Sequence, residues 1–89
     1  MSTFIARVQL NSAEATDYET LNREIEKGPA VLKKKSVSVT PDKFRKGEYN
    51  YRGNISLSDV VDAVYRAIRK TGRDYSFTVM KNKGKFYPE

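Results

Sequence analysis

The chain has 89 residues, enough for one small domain, and carries 17 Lys and Arg against 11 Asp and Glu, a formal charge of +6. It contains no Cys, no His and no Trp. Those absences exclude a disulfide framework, a thiolate nucleophile, Cys-based zinc sites and every imidazole base or ligand. Any chemistry must come from carboxylates, Tyr, Lys, Arg, Ser or Thr. Aromatic residues make up 11% of the chain, too many for a disordered composition. No apolar run approaches the roughly 20 residues needed to span a bilayer, and Met1 to Arg7 has no secretory pattern, so a soluble cytoplasmic protein is expected.

The charge is uneven. Residues 1–30 hold three basic and five acidic side chains, whereas residues 31–53 hold seven basic and two acidic, so +5 of the net charge lies mid-chain.

Thr3 to Leu10 alternates as a strand, with Phe4, Ala6, Val8 and Leu10 on one face and Thr3, Ile5, Arg7 and Gln9 on the other. Thr16-Asp17-Tyr18-Glu19 has the form of a capping box. A helix is therefore predicted from Thr16, with Tyr18, Leu21 and Ile25 on its apolar face and Gly28-Pro29 as its stop. A second strand is expected from Val31 and Leu32 through Val37 and Val39. A bulge or break near residues 34–36 is needed, because unbroken alternation would turn Lys33 and Lys35 into the core. Pro41-Asp42 opens a turn and Gly47 ends a basic loop. Glu48 to Arg52 is a short strand with alternating tyrosines, closed by Gly53-Asn54.

Ser56 with Asp59 three residues on is the start signal of a second helix. Its apolar stripe is Leu57, Val60, Val61, Val64 and Ile68, with Ala67 and Tyr65 at the border. Arg66, Arg69 and Lys70 suit its C-terminal end, and Gly72 suits the C′ position. Tyr75 to Val79 alternates as a last strand. Residues 81–85 are turn-like, and Phe86-Tyr87 either adds a short strand or packs back on the body.

The order β-α-β-β-α-β predicts an α+β ferredoxin-like sandwich: a four-stranded antiparallel sheet of order 4-1-3-2 with both helices on one face. The other sheet face is left for a partner.

Ser2 to Val8, Asp17 to Leu21, and above all Glu48-Tyr49-Asn50-Tyr51-Arg52-Gly53-Asn54 resemble a family of small bacterial proteins. That family includes GhoS, the endoribonuclease antitoxin of a type V toxin–antitoxin system, and the similarity extends to Thr71–Val79. The resemblance implies the same ferredoxin-like fold, related in shape to small CRISPR-associated nucleases. Residues 33–46 depart from the family pattern. Where the related nuclease fold places an Asp near the end of the first strand, this chain has Asn11 and Ser12.

The functional expectation is a small nucleic-acid-associated protein that binds single-stranded RNA. Lys33, Lys34 and Lys35 would hold phosphates, Tyr49 and Tyr51 would stack on bases, and Arg7 and Arg52 would supply nearby cations. Each feature has a plainer explanation. Lysines on an edge strand block sheet-to-sheet association, and tyrosines facing the helices are ordinary core. Two alternatives stand beside it: a homodimeric interaction module without catalysis, and a metal-independent endoribonuclease. The latter would use Asp17, Glu48 or Asp74 as base, Lys or Tyr as acid, and Arg7 or Arg52 against the developing phosphorane charge. No metal, cofactor or membrane partner is expected.

Overall fold

The structure, a computed structural model, describes residues 2–28, 32, 37–42 and 46–81. Strand β1 (Ser2–Leu10) is central and pairs antiparallel on both sides. On one side it meets β3 (Glu48–Gly53), with Phe4 opposite Tyr51, Ala6 opposite Tyr49 and Arg7 opposite Glu48. On the other it meets β4 (Tyr75–Lys81), with Val8 opposite Phe77 and Ile5 opposite Met80. Strand β2 (Ser38–Pro41) pairs with the outer side of β3, giving the order β2-β3-β1-β4. Pro41 is tolerated because β2 is an edge strand. Helices α1 (Ala15–Lys27) and α2 (Leu57–Arg69) complete the βαββαβ order, and the fold is the expected ferredoxin-like one.

The alternation of β1 sets the layers. Phe4, Ala6, Val8 and Leu10 are buried against Leu21 and Ile25 of α1 and Val60, Val64 and Ile68 of α2. Tyr18 fixes α1 on the sheet, because its phenol oxygen accepts from the Leu10 N–H at 3.1 Å. Gly47 ends the loop before β3 with φ +78, and its carbonyl accepts from the Val8 N–H at 2.7 Å. A Cβ there would lie 2.2 Å from the Val8 carbonyl oxygen, so both the backbone angle and the close approach require glycine.

Four expectations are corrected. Helix α1 starts at Ala15, with Glu14 rather than Thr16 as its N-cap; the Asp17 carboxylate accepts from the Glu14 N–H at 2.9 Å. Strand β2 begins only at Ser38. Leu32, expected in that strand, is helical and buried, and its carbonyl accepts from the Val37 N–H at 3.3 Å. Val31 and the expected bulge lie outside the described residues. In α2 the capping box is as predicted: Ser56 Oγ accepts from the Asp59 N–H at 3.3 Å, and Asp59 Oδ2 accepts from the Ser56 N–H at 3.4 Å. Its core stripe, however, is Val60, Ala63, Val64, Ala67 and Ile68, while Leu57 and Val61 are exposed. Lys70 is the C-cap, so Gly72, with φ +71, serves the following turn rather than the C′ position. Among the described residues no helix is long and apolar enough to cross a membrane.

Candidate nucleic-acid interface

The register distributes the sequence-predicted residues over three places. Arg7 and Arg52 lie on the sheet face away from the helices, and both are exposed. Tyr49 and Tyr51 lie on the opposite face, across from Ala6 and Phe4, and are 0% and 1% exposed. Both are core residues, so neither can stack on a base at the open face. Lys33, Lys34 and Lys35 lie outside the described residues.

The two buried tyrosines differ in their hydroxyls. That of Tyr49 donates to Asn22 Oδ1 on α1, whereas that of Tyr51 has no partner among the described residues. Burial pushes both phenols well above the ordinary value, for Tyr49 with further contributions from Tyr51, Tyr18 and Glu26. They are neutral at any physiological pH.

The open face is polar rather than aromatic. Along β1, β2 and β4 it presents Gln9, Thr40, Ser76 and Thr78, and at its centre Arg7 Nε pairs with Glu48 Oε1 at 3.2 Å. A shallow cleft of about 460 Å³ lies beside this pair, with Gln9, Lys46, Ser76 and Thr78 on its walls. Arg7 is thus already engaged by a carboxylate. Of the three carboxylates considered for catalysis two are likewise committed: Asp17 caps α1 and accepts from Arg73 Nε at 3.0 Å, and Glu48 holds Arg7, while Asp74 is exposed. Among the described residues no three carboxylates come together.

The exposed aromatic residues are elsewhere. Tyr65 near the C-terminal end of α2 and Tyr75 at the start of β4 are 36% and 38% exposed. Their rings meet edge to face, with centroids 6.1 Å apart at 67°, and Phe77 lies 5.9 Å beyond Tyr75. Arg69, one turn after Tyr65, stands 5.7 Å over its ring and donates from Nη1 to its hydroxyl at 2.9 Å. That hydrogen bond and charge hold the Tyr65 phenol below its ordinary value and raise the guanidinium. Tyr75 is shifted up, by desolvation first and by Tyr65 second.

Further cations flank this cluster. Arg66 pairs with Asp62 at 3.0 Å and Arg73 with Asp17, but Arg69 and Lys70 make no ion pair among the described residues. The result is two accessible π-systems beside a guanidinium that no carboxylate engages among the described residues. That combination can take a flat, electron-rich ring and the phosphate attached to it.

The sequence did carry a signal for this cluster. The apolar positions of α2 from Leu57 to Ile68 spread over about 200° at 100° per residue, about twice the arc a core-facing stripe needs. One edge of that arc, Leu57, Val61 and Tyr65 at spacings of four, has to lie outside the core.

No protein-family model, curated protein or solved structure matches the chain.

Proposed function

We propose that the protein binds single-stranded RNA, with Tyr65, Tyr75 and Arg69 as its base-stacking platform. The observation that carries this reading is the exposed tyrosine pair with a guanidinium over one ring, in a chain of charge +6. Stacking on aromatic and guanidinium planes is how unpaired bases are held, and Lys70, which follows Arg69 in the chain, would receive a phosphate. The choice of RNA over DNA rests on the resemblance to the family that includes GhoS. Binding stands ahead of ribonuclease chemistry, because Asp17 and Glu48 are each held by an arginine.

The test is a fluorescence-anisotropy titration of an end-labelled U-rich RNA across a salt series. Affinity is expected to fall with salt by about 0.7 log unit per log unit for each phosphate neutralised. Tyr75→Ala and Arg69→Ala are each expected to weaken binding about 5- to 100-fold, the range of one stacked base. Unaltered binding by both variants, or no binding at low salt, would overturn the reading.

A further inference from the structure

We infer that the cleft beside Arg7 and Glu48 binds a small hydroxylated anion of the sugar-phosphate class. This goes beyond nucleic-acid binding and does not depend on it.

The backbone makes the cleft. Strand β3 begins at Glu48, opposite Arg7. Among the described residues, Val8, Gln9 and Leu10 of β1 therefore have β4 on one side and no strand on the other. On that bare flank the Gly47 carbonyl accepts from the Val8 N–H, and the Tyr18 hydroxyl accepts from the Leu10 N–H. The cleft of about 460 Å³ opens here. Sites for small molecules span roughly 300–1,000 Å³.

The polar groups on its walls have hydrogen-bonding capacity left over. Among the described residues Arg7 commits only Nε, to Glu48 Oε1, which leaves the rest of its five N–H groups. The Glu48 side chain is 15% exposed, yet its Oε2 has no partner there. Tyr18 takes the Leu10 N–H but finds no acceptor for its own proton among the same residues. Lys46 makes no ion pair among them, and the side chains of Gln9, Ser76 and Thr78 are exposed and make no hydrogen bond among them.

This donor and acceptor set selects the ligand. The charged groups are two cations and one carboxylate, Arg7, Lys46 and Glu48, which favours an anion. A bare anion would be repelled by Glu48, whose carboxylate only accepts, and so calls for an O–H or N–H on the ligand. Gln9, Ser76 and Thr78 can each donate and accept, which is what hydroxyl groups require. The aromatic residues of the cleft, Tyr18 and Phe77, are half-buried and packed against the core, so no exposed ring there suits a nucleobase. A phosphate on Lys46 and the remaining guanidinium N–H groups of Arg7, with sugar hydroxyls on Glu48 and Gln9, answers all of these demands.

The experiment follows amide NMR shifts of the full chain during titration with ribose 5-phosphate at low salt. Saturating shifts are expected at Arg7, Gln9, Gly47, Ser76 and Thr78, with Tyr65, Arg69 and Tyr75 still. Inorganic phosphate and ribose are each expected to bind at least about tenfold more weakly, because each offers only one of the two kinds of group and forgoes hydrogen bonds to charged side chains. Glu48→Gln keeps an acceptor for Arg7, and circular dichroism checks its fold. It should weaken ribose 5-phosphate by about fivefold or more and leave inorganic phosphate unchanged or tighter. Thr78→Val, at an exposed position, should weaken ribose 5-phosphate by about fivefold, the worth of one neutral hydrogen bond. Equal affinity for inorganic phosphate, the behaviour of an adventitious ion only, would overturn the inference. So would the absence of a saturating shift, shifts centred on Tyr65 and Tyr75, or unaltered binding by both variants. Failure of RNA binding would leave it standing, since no residue of the cleft belongs to the tyrosine platform.

Discussion

Replacing Tyr51 by Phe deletes one oxygen from the middle of the core and nothing else. Tyr51 is 1% exposed, and its hydroxyl has no partner among the described residues. Leaving a hydroxyl buried without a hydrogen bond costs about 1–3 kcal/mol, and Phe fills the same ring volume. Tyr51→Phe should therefore raise stability by about 1 kcal/mol.

Tyr49, two residues away on the same face of the same strand, is the internal control. It is equally buried, but its hydroxyl donates to Asn22. Tyr49→Phe should lower stability by about 0.5–1.5 kcal/mol, the ordinary net worth of a neutral hydrogen bond. Two identical deletions should thus differ by about 2 kcal/mol with opposite sign. The assay is urea denaturation followed by far-ultraviolet circular dichroism, since the chain has no Trp. The slope with denaturant should be unchanged, so the midpoints carry the result. If Tyr51→Phe destabilises by 1 kcal/mol or more, or if the two variants move together, the hydrogen-bond reasoning fails.

The same tyrosines predict an alkaline transition. Burial raises both phenols in the folded state above the ordinary value of 10.0. Their contribution to stability is complete below pH 10 and is lost as pH rises, because the unfolded chain releases the protons first. The decline should be about 1.4 kcal/mol per pH unit for each tyrosine, and the double variant Tyr49→Phe/Tyr51→Phe should show a correspondingly flatter decline in denaturation midpoints between pH 10 and 12. Gly47→Ala should cost about 2 kcal/mol or more, read as a drop in melting temperature, because its Cβ meets the Val8 carbonyl oxygen. Gly72→Ala should cost only about 1 kcal/mol, since it has a positive φ but nothing within 4 Å.

The fold was legible where one physical demand dominated. Strand β1 has one apolar face and one polar face, and Ser56 with Asp59 forms a cap that no neighbouring residue imitates. The start of α1 was harder, because Thr16 with Glu19 and Glu14 with Asp17 are both capping pairs. The Asp17 carboxylate takes the Glu14 N–H and the Arg73 guanidinium together, which fixes the earlier start. The face of Tyr49 and Tyr51 was not legible, since Glu48-Tyr49-Asn50-Tyr51-Arg52 alternates identically in either orientation and a tyrosine suits core or surface. Pairing with Phe4 and Ala6 decides it. In α2 the apolar arc was legible, but which edge of it lies outside the core depends on where β4 lies beneath the helix. That is a tertiary fact, and it is why the Tyr65–Arg69–Tyr75 cluster emerged only from the structure.

The central claim is that RNA lies across the end of α2 and the start of β4 rather than on the open face of the sheet. Amide and side-chain NMR shifts during titration with a short single-stranded RNA locate it directly. The account predicts that Tyr65, Arg69, Lys70 and Tyr75 move first and furthest, with Arg7, Gln9 and Thr78 nearly still. Shifts centred on Arg7, Gln9 and Thr78, with the two tyrosines unmoved, would contradict it.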